Sequence, residues 1–140
     1  MIKLIIQKHY ILLGLIIFII LRLVWVYFTG WREVVLDAIG YDGYAQAILR
    51  SSDWLTNSDF EGSFRAPVYP LFLAIIYFIF GNQNFLAVYF FQSVLGILSV
   101  LYIFKLSSLI FTKKRSILAF LWSGLYYWYL FYSGKLLRET

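Results

Sequence analysis

Twenty residues, Tyr10 to Thr29, run with a single charge among them, Arg22. At 1.5 Å per residue a helix of that length spans about 30 Å, the thickness of a bilayer's hydrocarbon core. A second run, Phe85 to Phe111, is 27 residues long and carries only Lys105, near its end. Segments this long and apolar belong in lipid, where a helix pairs every backbone N–H and C=O within its own segment. Composition agrees, with 62% hydrophobic and 14% charged residues, against about 45–50% and about 25% in globular domains. A core built from 140 residues cannot hide that excess, so it faces lipid. The chain is therefore expected to be an all-α integral membrane protein.

Several function classes fall away. There is no cysteine, which excludes disulfides, thiolate metal sites and thiol nucleophiles. The single histidine, His9, supports neither a histidine metal cluster nor a catalytic triad. A net charge of +5 is read as basic cytoplasmic loops of a membrane protein, so no nucleic-acid partner is expected. Lys3 and Lys8 precede the first apolar run as in a signal peptide, but the run exceeds an h-region of roughly 7–15 residues and no small-x-small cleavage site follows. It reads as an anchor.

The charges then set the topology. Residues 10–29 form a first crossing, with Trp25, Tyr27 and Trp31 gathered at its far end as an aromatic belt. The loop 30–65 holds six of the seven acidic residues, Glu33, Asp37, Asp42, Asp53, Asp59 and Glu61, and is placed outside. Within it, residues 41–50 put Tyr41, Tyr44, Ala45 and Ile48 on one helical face, predicting a short amphipathic helix at the outer interface. Residues 66–80 are too short to cross, since about 17 apolar residues are the minimum, and begin with Pro67 and Pro70. They read as an interfacial or re-entrant helix. Residues 85–111 cross, 112–116 form a cytoplasmic loop with Lys113, Lys114 and Arg115, 117–133 cross again, and 134–140 open a second outer loop. If 66–80 crossed, that basic cluster would lie outside, against the positive-inside rule. The expectation is three crossings, with the N-terminus cytoplasmic.

Ionisable residues near the outer leaflet are the candidates for chemistry. Asp37 and Asp42 read equally well as solvated loop acids or as a general base or cation ligand, and Asp37 also as a helix N-cap. Arg22 lies about 10 Å below the outer end of its span, where a charge usually faces a cavity or a partner; snorkelling to the interface is the alternative. Arg65, just before Pro67, suits bidentate phosphate binding or generic anchoring. Glu139 beside Arg138 has an ordinary reading as a surface pair.

Three blocks in this order carry a resemblance. They are Asp37-Ala38-Ile39-Gly40-Tyr41-Asp42-Gly43-Tyr44-Ala45, then Arg65-Ala66-Pro67-Val68-Tyr69-Pro70-Leu71-Phe72-Leu73-Ala74, then Tyr132-Ser133-Gly134-Lys135-Leu136-Leu137-Arg138-Glu139-Thr140. A helix ending in Phe80-Gly81 and a span containing Gln92 and Gly96 lie between the last two. The chain resembles the N-terminal part of GT-C glycosyltransferases of the dolichyl-phosphate-mannose–protein mannosyltransferase and aminoarabinose-transferase type, whose blocks read roughly D-x-x-x-Y-x-x-x-A, R-x-P-x-Y-P-L-F-L-A and L-L-x-E-T. The resemblance implies a partial GT-C fold and transfer of a sugar from a polyprenyl-phosphate carrier to an acceptor (protein, lipid or glycan) on the extracytoplasmic face of a bacterial or archaeal plasma membrane. It makes Asp37 the catalytic aspartate, puts Arg65 at the donor phosphate, and gives Tyr41, Asp42 and Glu139 supporting roles; Arg22, a charge inside the first span, is expected to help hold the same phosphate. Where relatives show Pro-Gly-Tyr-Pro this chain has Pro67-Val68-Tyr69-Pro70, and Phe64 stands where some relatives hold an acidic metal ligand, so a divalent metal is left open.

Such enzymes carry more spans and usually a soluble domain, so the 140 residues are expected to be one module of a longer protein, too short to be active alone. The competing readings are a non-catalytic small polytopic protein, its acids merely solvated, and a transporter fragment using Arg22 as a counter-ion.

Overall fold

The structure, a computed structural model, describes residues 2–29, 36–50 and 67–135, with the side chains of 9–28, 39–50 and 67–135. The described residues form six helices: α1 Ile2–Thr29, α2 Leu36–Arg50, α3 Val68–Phe80, α4 Phe85–Ile110, α5 Lys113–Leu125 and α6 Tyr127–Ser133. Two stretches are long and apolar enough to cross a membrane, His9–Phe28 in α1 and Phe85–Ile110, the whole of α4.

Contacts between α1 and α4 fix their relative direction. Near one end Val26 shares an apolar cluster with Val88 and Tyr89; lower down a Cβ built on Gly96 would meet the Arg22 guanidinium at 3.0 Å; lower still Phe18 packs with Val100. Rising numbers on one helix match falling numbers on the other, so the two are antiparallel. By the same reasoning α5 and α6 run parallel to α1: Gly14 abuts Phe120, Phe18 abuts Gly124, and Trp25 Nε1 donates to the Phe131 carbonyl at 3.3 Å. The C-terminal end of α1 and the N-terminal end of α4 therefore share one end of the bundle. At that end lies α3, 13 residues or about 20 Å long, with Tyr77 edge-on to Phe85 and the Tyr69 hydroxyl accepting from Gln92 on α4.

Small residues set the closest helix approach. A Cβ on Gly14 would come within 2.7 Å of Phe120 Cε1, and one on Gly124 would overlap the Phe18 ring. Each phenylalanine fills the notch left by the glycine opposite, and the two rings lie 5.2 Å apart. Small-residue notches of this kind bring helices together in lipid, where burial from water gives no drive.

Three boundaries differ from those expected. First, α2 begins at Leu36, five residues before the expected start, so Asp37 lies inside the first turn instead of capping it. Second, Lys113, Lys114 and Arg115 form the exposed first turn of α5, not a loop. Cations at a helix N-terminus oppose the helix dipole, so local helix energetics do not explain them. Third, the expected continuous helix over 117–133 is broken at Tyr126, whose backbone is extended at φ −62° and ψ 116°. The residues there, Tyr126-Tyr127-Trp128-Tyr129, are weak helix formers because aromatic side chains lose χ1 freedom against the preceding turn. Beyond the break, Trp25 packs its ring against Tyr127 and Phe131.

Candidate active site

The second unit of the fold is the α2–α3 pair at the end of the bundle. Its inner face is aromatic: Tyr41, Tyr44 and Ala45 of α2 and Tyr69, Leu73, Ala74, Ile76 and Tyr77 of α3 are buried. The expected face of α2 is thus the one that packs, with Ile48 against the same cluster. On its other side α3 exposes Val68, Leu71, Ile75, Phe78 and Ile79, an apolar stripe at helical spacing.

Asp42 is also buried, and it is the polar centre of this unit. Its Oδ1 accepts from the Tyr77 hydroxyl at 2.8 Å, and its Oδ2 accepts from Gln46 Nε2 and Gln83 Nε2, each at 2.8 Å. Gln46 in turn accepts from Arg50 at 3.1 Å. Burial first, and then the bond to Asp42 with its negative charge, push the Tyr77 hydroxyl well above its ordinary pKa, so it stays a donor. The carboxylate ties α2 to α3 and to the turn that leads into α4. That turn is held tightly: Gly81 takes φ +100°, Gln83 adopts a left-handed φ of 55°, and Asn84 donates to the Phe80 carbonyl while accepting from the Ala87 N–H.

A different chain of contacts leads from Tyr41 into the bundle. The Tyr41 ring stands edge-on to Tyr69 at 5.1 Å, and the Tyr69 hydroxyl accepts from Gln92 Nε2 at 2.8 Å. One helical turn beyond Gln92 on α4 is Gly96, and the Arg22 side chain lies over it. Arg22 is 0% exposed, and its Nε, Nη1 and Nη2 have no hydrogen-bond partner among the described residues. A cavity of about 340 Å³ opens beside it, lined by Ile19, Leu23, Phe90, Ser93, Val94, Ile97 and Leu98. An ionised guanidinium without partners in an apolar setting is strongly unfavourable, so the arrangement calls for an anion. Snorkelling is ruled out by the complete burial of the head group.

The residues expected to form the site are only partly visible. Arg22 and Tyr41 lie on one connected path, whereas Asp42 points instead to Tyr77 and Gln83. Asp37 sits in the first turn of α2, but its side chain lies outside the described residues, as do Arg65 and Glu139 altogether.

A sequence model described as dolichyl-phosphate-mannose-protein mannosyltransferase matches residues 64–136, just over half of the chain. The chain belongs to the dolichyl-phosphate-mannose-protein mannosyltransferase family. No curated protein and no solved structure matches it. The mannosyltransferase match begins at the Arg65–Ala74 block and runs through α3, α4, α5 and α6; Asp37 and Glu139 fall outside it. Membership makes the chain part of a glycosyltransferase family, and with two helices long and apolar enough to span a bilayer it reads as an integral membrane protein.

Against that family background the described residues do not suit a metal. No group of three His, Cys, Asp or Glu side chains is present among them, and both Asp42 oxygens already accept hydrogen bonds. Sequence reasoning missed Gln92 and Tyr69 as polar members of the site. A lone glutamine amid apolar residues in a spanning helix was the available signal, because such a residue is costly unless it has a partner.

Proposed function

We propose that the protein takes part in transferring a sugar from a polyprenyl-phosphate carrier to an acceptor at the extracytoplasmic face of the membrane. The observation that carries this reading is Arg22, a fully buried and unpartnered guanidinium beside a cavity, in a family that handles lipid-linked phosphosugars. Asp37 acts as the base, taking the proton from the acceptor's nucleophile as that atom attacks the anomeric carbon from the face opposite the leaving group. The bond from the anomeric carbon to the phosphate oxygen breaks, its electron pair stays with the polyprenyl phosphate, and the configuration inverts. Arg65 and Arg22 offset the charge that grows on the leaving phosphate, which counts most where water is excluded. Tyr41 and Glu139 support the site, and Asp42 holds the helix that carries Asp37. No step is assigned to a metal.

In this reading the N-terminus and the Lys113–Arg115 turn are cytoplasmic, α2 and α3 lie at the outer leaflet, and α5 with α6 makes a third, broken crossing. The shared end of the bundle reached by α1 and α4 supports placing α2 and α3 on one side. The test is transfer from a polyprenyl-phosphate sugar by the full-length protein in proteoliposomes. Asp37→Asn is expected to abolish turnover while donor binding persists, and Arg65→Ala to weaken donor binding. Unchanged turnover in Asp37→Asn would remove Asp37 from catalysis.

A further inference from the structure

The groove beside Arg22 opens toward lipid. Its rim is formed by Ile19 and Leu23 on α1 and by Phe90, Val94 and Leu98 on α4, all of them exposed on the outer surface of the helix pair. At 1.5 Å per residue, Phe90 and Leu98 lie about 8 and about 20 Å from the start of α4, so the mouth of the groove falls at hydrocarbon depth. Behind the rim the Arg22 guanidinium is fully buried and has no partner among the described residues. The other polar side chain on the wall, Ser93, already gives its proton to the Tyr89 carbonyl at 2.8 Å. A cation thus stands at the back of an apolar groove that faces the bilayer.

Those features select among anions. A water-borne phosphate would have to cross hydrocarbon to reach Arg22, and the wall offers it no second polar contact. A diacyl phospholipid carries glycerol esters between its phosphate and its chains, and the wall has no free donor for their carbonyls. A prenyl phosphate joins its anion directly to a single hydrocarbon chain. It brings charge to the guanidinium and apolar carbon to the rest of the wall, with no polar group left over.

Resting on the glycosyltransferase reading, we infer that the α1–α4 groove is where the polyprenyl-phosphate carrier enters sideways from the bilayer and is held. Its phosphate pairs with Arg22, and the first units of its chain lie along Ile19, Leu23, Phe90, Val94 and Leu98. An unpaired cation at this depth is strongly unfavourable, so bringing the phosphate to it favours binding. The groove reads phosphate and chain. The sugar, for which its wall has no partner, extends toward the α2–α3 end.

The experiment measures binding of polyprenyl phosphate, polyprenol and phosphatidic acid to the full-length protein in phosphatidylcholine nanodiscs. Unsubstituted protein is expected to prefer polyprenyl phosphate over the other two. Arg22→Gln is expected to weaken polyprenyl phosphate about tenfold or more, the value of a hydrogen bond between charged groups, and to leave polyprenol unchanged. Val94→Trp fills the groove from its rim and is expected to weaken polyprenyl phosphate and polyprenol together. Leu109→Trp, on an exposed part of α4 away from the groove, leaves both within about twofold. Without carrier, Arg22→Met is expected to melt higher than unsubstituted protein, because an unpaired buried charge is gone, and to gain less from added polyprenyl phosphate. Lower melting of Arg22→Met would mean that a carboxylate elsewhere in the protein already neutralises Arg22, and would overturn the inference. Phosphatidic acid bound as tightly as polyprenyl phosphate, equal effects of the two tryptophans, or sugar transfer with carrier binding unchanged in Arg22→Gln would overturn it too. Carrier binding that meets these expectations in a protein without sugar transfer would instead overturn the glycosyltransferase reading and leave the groove standing.

Discussion

The Tyr77 hydroxyl donates a 2.8 Å hydrogen bond to Asp42 across 35 residues of sequence, and this buried contact joins α3 to α2. Together with the donors from Gln46 and Gln83 it fixes how α2 is rotated against its neighbour, and so how the first turn containing Asp37 is presented. Replacing Asp42 by Ala strands the buried Tyr77 hydroxyl and removes the acceptor of half-buried Gln46 and of exposed Gln83. The expected loss is about 2–4 kcal/mol, because bonds to a charged acceptor are worth more than neutral ones and the network is shared. Equilibrium unfolding of the chain in mixed micelles measures it, and a loss comparable to a surface substitution would show that the network is not what holds α2.

The same pair gives the α2–α3 unit an alkaline limit. Tyr77 is held well above the ordinary tyrosine pKa of about 10 by burial and by Asp42. Above that ordinary value the unfolded chain releases the tyrosine proton while the folded chain keeps it, so the unfolded state binds fewer protons and stability falls as pH rises. Below it the contribution is fully present. Stability measured between pH 8 and pH 11.5 is expected to be level at first and then to decline, with a shallower decline in Tyr77→Phe. An identical decline in both proteins would assign it to other groups.

Gln83 sets a strained backbone against a useful side chain. Its φ of 55° costs a non-glycine residue about 1 kcal/mol or more, and its amide returns a bond to Asp42. Gln83→Gly loses the bond and relieves the strain; Gln83→Ala loses the bond and keeps the strain. The glycine variant is therefore expected to be the more stable of the two by about 1 kcal/mol. The reverse order in a denaturation series would show that the turn relaxes without cost.

Gly124 tests the core of the bundle. Any side chain there overlaps the Phe18 ring, so Gly124→Val must push α1 from α5, at a cost of about 1–3 kcal/mol or more. Gly81, with open space around its Cβ direction but φ +100°, provides the contrast: Gly81→Val strains the backbone and leaves helix packing intact. Cross-linking between positions 14 and 120 should fall in the first variant and persist in the second.

Topology can be tested with single cysteines, since the chain has none. A cysteine at Asn82 is expected to react with an impermeant reagent from the side opposite to one at Lys114, because α4 spans the distance between them. Labelling of both from one side would mean that α4 does not cross.

The sequence by itself determined the environment of this protein and the identity of its blocks. Two apolar runs of bilayer length leave helices in lipid as the solution, since backbone groups there must pair locally. The charges and the length of 66–80 led to the expectation that this segment does not cross, which the cysteine labelling above tests by the side from which position 82 reacts. The start of α2, the helical state of Lys113–Arg115 and the break at Tyr126 were not legible, because helix ends turn on small differences that tertiary contacts override. The fate of individual polar residues belonged wholly to the tertiary structure. Asp42 and Tyr41 are adjacent in sequence, yet one meets Tyr77 and Gln83 while the other meets Tyr69 and, through it, Gln92. Neighbours on a helix point about 100° apart, and what each meets depends on segments tens of residues away. Arg22 was conspicuous in the sequence as a charge in a span. Only the packing of α1 on Gly96 decided that its head group is buried and unpartnered beside a cavity, because the space left by an absent side chain on another helix cannot be read from either helix alone.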